Sequence, residues 1–236
     1  MAAGNGYSLL QKVVYYLRAI FEEAVEKELV HRNPARKLKH KLKREKGNVH
    51  TPAECQRLYA AAISREHLVL RLLIQLGLRG EEVFALRHND VEPGRLRIDE
   101  AFVEGESKCT KTEDSDAFMH ITPSLEAELR DWMATPPHAQ SVDWLFPAAR
   151  GGNPFTPKNY LRRVLKPLAA RAKVASVTFQ SLRRTSGTYV AKHAANVKDV
   201  QAHLRHSSIA TTMDIYVQPI GEGVRAAQEA WEKELG

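Results

Sequence analysis

The sequence predicts a mainly α-helical protein with a small antiparallel β-sheet, which places it in the α+β class. Apolar residues recur every three to four positions through residues 7–29 and through several later segments, as in helices with one buried face. Alternation of apolar and polar residues is confined to short runs at 95–98, 101–103 and 118–121, which predicts short strands. A chain of 236 residues, 43% of them hydrophobic, is long enough for one sizeable core and a small companion unit.

The first helix is predicted over residues 7–29 and is expected to end before Asn33-Pro34, because a residue that precedes proline is pushed out of the helical region. A second unit opens with a capping-box pattern, in which Thr51 is the N-cap, Pro52 the first helical residue and Glu54 the third. Later helices are predicted at residues 67–78, 124–133, 158–172, 182–193, 197–204, 209–216 and 224–235.

Composition narrows the class of protein. A net charge of +7 and a pI near 9.4 favour an acidic partner, for which nucleic acid is the usual candidate. Cys55 and Cys109 are too few for a disulfide framework or a zinc site. No segment has the length of an uninterrupted apolar membrane span, and no secretory h-region follows the first residues. We therefore expect a cytoplasmic protein without a membrane-spanning part.

A basic run follows the first helix. Residues 36–46 contain a single acidic residue, Glu45, among seven cations: Arg36, Lys37, Lys39, Lys41, Lys43, Arg44 and Lys46. Such a run is typical of a solvated linker. It is equally suited to cross DNA phosphates, where each neutralised phosphate releases counterions and makes affinity fall with salt. The two interpretations are compatible.

The last quarter of the chain contains a candidate reactive set. Arg183, His206 and Tyr216 supply a guanidinium, an imidazole and a phenol that could together hold and attack a phosphodiester. Arginine offers a planar fork of donors that matches phosphate oxygens and keeps its charge. Tyrosine becomes a covalent nucleophile when a cationic site stabilises its phenolate.

Earlier motifs complete the pattern. The segment Gly77-Leu78-Arg79-Gly80-Glu81-Glu82 resembles the first arginine motif of the tyrosine recombinase, or phage integrase, family. Lys108-Cys109-Thr110-Lys111-Thr112 is similar to the lysine-bearing β-hairpin of that family, and residues 118–123 take the place of the strand that closes the hairpin. Arg183, the His206 loop and Tyr216 match the remaining elements in order and spacing, so the resemblance covers essentially the whole chain.

This resemblance implies a domain organisation. Residues 1–34 correspond to part of a helical core-binding domain, with its preceding helices absent from this sequence. Residues 35–49 form the basic linker, and residues 50–236 form the catalytic domain, mainly helical with a small antiparallel sheet.

The resemblance also implies roles. Arg79 and Arg183 bracket the scissile phosphate and stabilise the charge that grows in the transition state. Tyr216 forms a 3′-phosphotyrosyl link, and Lys111 protonates the leaving 5′-oxygen, with Lys108 as the competing candidate. His206 donates a hydrogen bond to a phosphate oxygen and assists deprotonation of the tyrosine. The scheme needs neither a metal ion nor ATP.

Three further residues qualify these roles. Glu82 is expected to hold a guanidinium or a histidine in place, against the alternative of an exposed helical glutamate. His203 shares a helix face with His206, but no third ligand is spaced for a metal site. Gln180 departs from the family, which usually has histidine three residues before Arg183; its amide can donate a hydrogen bond but cannot carry a proton.

The expected function is site-specific DNA recombination or integration. The alternative is a DNA-binding protein of the same fold with impaired catalysis; a type IB topoisomerase shares the chemistry, but the short integrase-like layout disfavours it. The expected partner is double-stranded DNA, with four protomers assembled on two duplexes through a Holliday junction and a monomer when free. The tail helix after Tyr216 is suited to dock within its own protomer or on a neighbour.

Overall fold

The computed structural model describes residues 4–38, 47–103, 105–109, 117–135, 144–148, 153–194, 196–209 and 212. The predicted fold class is confirmed, since the described part is mainly helical and has small antiparallel sheets. The chain forms two compact units, Met1–Gly47 and Asn48–Gly236. The division into residues 1–34, 35–49 and 50–236 remains a prediction, because compactness alone assigns no function to either unit.

The described part of the first unit is dominated by helix α1, Gly4–Glu26. The helix ends earlier than predicted, because Glu28 adopts a left-handed backbone with φ +56°. The N–H of Leu29 then donates to the carbonyl of Ala24 at 2.9 Å, the bond that closes a Schellman motif. Termination at Asn33-Pro34 was therefore wrong, and the apolar pattern beyond residue 26 belongs to the turn that follows.

The second unit contains most of the helices. Their bounds are α2 Pro52–Ala61, α3 Ser64–Ile74, α4 Gly80–Val83, α5 Pro123–Ala134, α6 Pro157–Tyr160, α7 Lys166–Arg171, α8 Phe179–His193 and α9 Val197–Leu204. The capping box of α2 is confirmed: Thr51 Oγ1 accepts from the N–H of Glu54 at 3.2 Å, and the Glu54 carboxylate accepts from the N–H of Thr51 at 2.8 Å. A 3₁₀ turn, His88–Asp90, follows α4.

Agreement with the other predicted helices varies. The helices at 124–133, 182–193 and 197–204 are confirmed within a few residues, whereas the helix predicted at 67–78 begins at Ser64 and ends at Ile74. The helices at 209–216 and 224–235 fall on residues that are largely or wholly outside the described part.

The helix predicted at 158–172 is interrupted. A π-helical turn, Leu161–Leu165, joins α6 to α7. Pro167 follows this turn and has no N–H to donate, and its ring would crowd the carbonyl four residues earlier in a regular helix. A widened turn relieves that conflict.

The strands form two antiparallel sheets. One has the order β1-β2-β5, with β1 Val91–Glu92, β2 Arg95–Ile98 and β5 Ala117–His120. The other is the hairpin of β3, Glu100–Val103, and β4, Glu106–Cys109. The sequence interpretation had residues 118–123 closing the lysine-bearing hairpin. That interpretation was wrong: β5 pairs with β2, with Leu96 opposite Met119.

A single apolar core lies between the helices and the three-stranded sheet of the second unit. Its fully buried members include Leu58, Leu72, Leu73, Phe84, Leu96, Leu125, Phe146 and Leu182. Helix α8 packs against both α3 and α9. This packing brings the turn before α4, the middle of α8 and the end of α9 together. Among the described helices, none combines the length and apolar character of a membrane span.

Candidate active site

The first element of the site is the turn that leads into α4. Gly77 has φ +63°, and a Cβ at this position would lie 2.9 Å from the Ser186 hydroxyl oxygen, so the turn needs glycine both for its backbone and for the close approach to α8. Arg79 follows as the N-cap of α4. Its guanidinium Nη1 donates to Glu82 Oε1 at 2.8 Å, and its backbone N–H donates to Oε2 at 2.7 Å. The Arg79 side chain remains 44% exposed.

Glu82 is a buried carboxylate and not a solvated surface residue, since it is 4% exposed. Burial by itself raises its pKa, but Arg205, the hydrogen bonds from Arg79 and the Arg79 charge outweigh burial and lower the pKa below its ordinary value. Glu82 is therefore ionised at neutral pH. The alternative of an exposed helical glutamate is excluded.

The second element is α8. Thr178 caps this helix, accepting from the N–H of Ser181 at 3.0 Å, and the helix then carries Arg183 into the interior, where it is 8% exposed. The Arg183 guanidinium donates to the carbonyl oxygens of Gly77 and Leu204, which lie in the turn before α4 and at the end of α9. Burial, followed by the nearby Arg79, lowers the pKa of Arg183 to about 9, so the group stays charged at neutral pH.

The first residues of the second unit are also fastened to α8. The N–H of His50 donates to Thr185 Oγ1 at 2.9 Å, and its ring Nε2 hydrogen-bonds Ser181 Oγ at 2.9 Å. His50 is 3% exposed, and burial lowers its pKa. These contacts help to fix the helix that carries Arg183.

The third element is the end of α9. The helix begins at the Asn196 cap, whose side chain accepts from the N–H of Asp199 at 3.1 Å. It ends at Arg205, which has φ 48° and ψ 52°, and the N–H of His206 donates to the carbonyl of Gln201 at 3.1 Å. This Schellman-type end turns the chain away from the helix axis, and His206 Nδ1 then hydrogen-bonds Thr212 Oγ1 at 3.0 Å.

Two neutral imidazoles border the arginines. The pKa of both His203 and His206 is lowered to about 4, first by burial and then by the positive charge of Arg183. His203 Nε2 hydrogen-bonds Ser186 Oγ at 2.9 Å, so its ring contacts α8. An anion that bound between the arginines would favour the protonated imidazole and raise the pKa of His206.

Arg205 is a site component that the sequence interpretation missed. Its Nη2 donates to Glu82 Oε2, and its Nη1 contacts the Met119 sulfur at 2.6 Å. Its carbonyl oxygen accepts from Arg79 Nη2 at 3.5 Å. The available signal was positional: the residue just after a periodic helix is usually glycine when the helix ends in a left-handed turn, and this sequence has arginine there.

The structure brings four predicted site residues together: Arg79, Glu82, Arg183 and His206. Gln180 lies exposed in the first turn of α8, and Lys108 is exposed in β4. Lys111 and Tyr216 lie outside the described residues. Of the basic run, Arg36 and Lys37 are exposed in the first unit, and Lys39, Lys41, Lys43, Arg44 and Lys46 lie outside the described residues.

A wider cationic region adjoins the site in sequence, and the sequence interpretation also missed it. Between Asp143 and Asp199 the chain contains no acidic residue. The described cations of this stretch that are exposed are Lys158, Arg162, Arg163, Lys166, Arg171, Lys173, Lys192 and Lys198. The same stretch supplies the buried Arg183. The sequence indicates this cationic region through the absence of aspartate and glutamate, which is harder to notice than a run of lysines.

The described centre has a net charge suited to an oxyanion. Arg79, Arg183 and Arg205 are cationic and Glu82 alone among the four is anionic, while the two histidines are neutral at neutral pH. Arg183 is fixed by backbone carbonyls and Arg79 by a carboxylate, so both guanidinium groups are pre-positioned. Such fixed cations stabilise developing negative charge without reorganising when it forms.

The chain is similar in sequence to curated tyrosine recombinases. The tyrosine recombinase XerC of Methylobacterium sp. is 26% identical over 174 residues, which span 74% of this chain and 52% of the relative. The tyrosine recombinase XerD of Rhizobium meliloti is 30% identical over 165 residues, 67% of this chain and 48% of the relative. The chain thus spans about half the length of these curated relatives.

A solved structure shares the fold. The Tn1549 transposon integrase, in complex with transposon right-end DNA, superposes with a TM-score of 0.81 at 18% sequence identity. The match covers 96% of this chain and 80% of that one. The family profile described as the phage integrase family matches residues 48–221. The chain therefore belongs to the phage integrase family.

Proposed function

We propose that this protein is a tyrosine-type site-specific DNA recombinase, which breaks and rejoins DNA through a 3′-phosphotyrosyl intermediate. One observation carries the proposal. Two arginines that are distant in sequence, Arg79 and Arg183, are each fixed by other parts of the site, beside His206. Tyr216 follows His206 by ten residues in the sequence.

In the proposed cleavage step, Tyr216 Oη attacks the phosphorus and the bond from phosphorus to the 5′-oxygen breaks. The leaving 5′-oxygen takes a proton from Lys111, and His206 accepts the phenol proton as the bound phosphate raises its pKa. Arg79 and Arg183 neutralise the non-bridging oxygens, whose charge grows in the transition state. Lys108 remains the competing donor.

In the proposed rejoining step, a 5′-hydroxyl of another strand attacks the phosphotyrosine and releases Tyr216. The number of phosphoester bonds is the same before and after, so the scheme requires neither ATP nor a metal ion. Gln180 would donate an amide hydrogen bond to a phosphate oxygen, in the place where the family usually has an imidazole.

The partner is double-stranded DNA. The segment that carries the exposed cations between residues 153 and 198 contains no acidic residue. The basic run at 36–46 contributes further positive charge. The Tn1549 integrase was solved on transposon DNA, which supports the same class of partner here. We further propose that four protomers assemble on two duplexes, with the tail helix after Tyr216 docking in cis or on a neighbour.

A second candidate function is DNA binding without cleavage, with the same fold. Gln180 is the observation that favours it, because glutamine cannot move a proton and an exposed position in α8 tolerates many residues. The retained Tyr216 favours the enzyme, because DNA binding alone does not require that phenol.

A nicked suicide substrate separates the two candidates. DNA sites are first enriched from a random duplex pool by binding to the protein, and the enriched sequence is then nicked beside the cleavage position. The enzyme is expected to form a covalent adduct, visible on a denaturing gel, that disappears in Tyr216→Phe while DNA binding persists. Tyr189→Phe, in α8, is the matched control and should form the adduct. Bound DNA without adduct at any enriched site would support the second candidate.

A further inference from the structure

Three described helix ends carry a charged residue in the left-handed conformation: Glu28, Lys173 and Arg205. The side chains of Glu28 and Lys173 are exposed, whereas the Arg205 side chain is only 10% exposed. The backbone conformation by itself therefore needs no special explanation in this chain. The burial of the Arg205 side chain does, because removing a charged guanidinium from water is costly unless the group is paired and hydrogen-bonded.

The contacts of Arg205 join three parts of the site. Its guanidinium bonds the buried carboxylate of Glu82 in α4 and contacts Met119 in β5. Its carbonyl oxygen accepts from Arg79. Glu82 Oε2 also accepts from the N–H of Arg79, so one carboxylate oxygen binds both residues.

Stability alone is a poor explanation for this arrangement. Arg205 places a third guanidinium near Arg79 and Arg183, and its charge lowers the pKa of Arg183, so the three cations oppose one another. A buried ion pair is often no more stabilising than an apolar replacement of similar size. What the pair does supply is a fixed geometry for the groups that it connects.

We propose that Arg205 is a positioning residue of the cleavage site. Through Glu82 it fixes the Arg79 guanidinium, and because its own guanidinium is anchored to Glu82 and Met119, it also fixes the start of the His206 loop. The proposal rests on the proposed recombinase function for its effect on rate, but its effect on geometry can be measured in DNA-free protein. In this proposal Arg205 acts through Glu82 and not by contact with the substrate.

The key variant is Arg205→Gly, since glycine accepts the left-handed turn and removes only the side-chain contacts. Arg71→Ala is the matched control: the Arg71 side chain is 12% exposed and bonds Glu128 at 2.6 Å, on the α3–α5 contact. Both variants lose one partly buried ion pair, and we expect both to lower the melting temperature. Only Arg205→Gly is expected to disturb the site.

Single-turnover cleavage of the suicide substrate measures the effect on rate. Arg205→Gly should slow cleavage by about 10- to 100-fold, because small displacements of a catalytic group cost that much. The dissociation constant for intact DNA should stay within about twofold. Arg205→Lys, which keeps the charge without the fork, should fall between wild type and Arg205→Gly. The double variant Arg205→Gly/Glu82→Gln should cleave the substrate no more slowly than the slower of the two single variants.

Amide hydrogen exchange in DNA-free protein measures the geometry. The N–H of Arg79, which bonds Glu82, and the N–H of His206 should exchange at least about tenfold faster in Arg205→Gly than in Arg71→Ala. The proposal would be overturned if these two amides exchanged in Arg205→Gly as they do in Arg71→Ala. It would also be overturned if they exchanged faster in Arg205→Gly while the cleavage rate stayed at the wild-type value. If wild-type protein forms no adduct at all, the recombinase function fails, and exchange alone then decides whether Arg205 positions the site.

Discussion

Glu82 accepts two hydrogen bonds from Arg79, one from the backbone N–H at 2.7 Å and one from Nη1 at 2.8 Å. The two bonds fix both the start of α4 and the direction of the guanidinium. The rest of the Arg79 side chain remains accessible, so a substrate can use donors that the carboxylate does not occupy. The buried carboxylate of Glu82 thus holds the exposed guanidinium of Arg79 in a fixed orientation.

Glu82→Gln is expected to destabilise the fold and to slow cleavage. Glutamine keeps the shape but leaves Arg205 buried without its counter-charge, and breaking a buried pair in this way costs about 3–5 kcal/mol in the free energy of unfolding. Urea denaturation measures the loss. Glu81→Gln, at the exposed neighbouring position, is the control and should stay within about 0.5 kcal/mol of wild type. Equal stability of the two variants would contradict the buried ion pair.

Arg183→Lys is expected to abolish most cleavage, although it preserves the charge. A lysine lacks the planar fork with which Arg183 reaches the carbonyl oxygens of both Gly77 and Leu204. A misplaced cation should cost about 10²–10³-fold in single-turnover rate, the scale seen when one transition-state donor is lost. Arg163→Lys, an exposed cation, is the control. Near wild-type cleavage by Arg183→Lys would show that charge alone suffices at this position.

The stability of the fold should fall as pH drops from about 6.5 towards about 4. His203 has an ordinary pKa near 6.5 when unfolded and about 4 when folded, so in this window the unfolded state binds the proton preferentially. The stabilisation is complete above the unfolded pKa and is lost as pH falls to the folded one. The charges that face the ring, Arg183 and Arg205, oppose its protonation along with burial.

His203→Asn tests this dependence. It should flatten the plot of unfolding free energy against pH by at most about 1.4 kcal/mol per pH unit between pH 6.5 and 4.5. His193→Asn, at the exposed end of α8, should leave the slope as in wild type. Identical slopes for His203→Asn and wild type would mean that the imidazole titrates alike in the folded and unfolded chain.

Replacing Arg162 and Arg163 by glutamine should weaken DNA binding and reduce its salt dependence. Each lost phosphate contact lowers the slope of log affinity against log salt by about 0.9, so the pair should lower it by about 1 to 2. Fluorescence anisotropy across a salt series measures the slope. Arg130→Gln, in α5 and outside the acid-free stretch, should leave the slope unchanged. A reduction by the control alone would place the DNA interface elsewhere.

Gln180→His should preserve or raise the cleavage rate. An imidazole at this exposed position in the first turn of α8 can donate to a phosphate oxygen and also exchange a proton, whereas the amide can only donate. Single-turnover cleavage at pH 7 provides the comparison. A loss of more than about tenfold would mean that the amide has a contact that histidine cannot replace.

The sequence predicted the parts of the site whose geometry is local. The helical spacing of residues 197–204 predicts α9 at its observed bounds, and this helix ends at the residues that lead into His206. Long-range contacts were harder to predict. Nothing in the residues around Arg205 reveals that its partner lies in α4, more than a hundred positions away.

Two fold errors have physical causes. The first helix was predicted to run to residue 29 because Leu29 continues the apolar period. It ends early because Glu28 adopts a left-handed backbone that side chains normally avoid. The pairing of β5 with β2 instead of β4 was missed because the alternation of apolar and polar residues predicts a strand but does not specify its partner. A third error concerns the helix predicted without interruption at 158–172: Pro167 lies within it, and the π-helical turn Leu161–Leu165 precedes this proline.

The most direct test of the proposed function is mass spectrometry of the covalent adduct. After trapping on a nicked substrate and digestion of protein and DNA, we predict a single modified peptide in which Tyr216 is linked to a nucleotide 3′-phosphate. Attachment at another residue, a 5′-phosphate linkage, or the absence of any adduct on an enriched site would contradict cleavage by this phenol between Arg79 and Arg183.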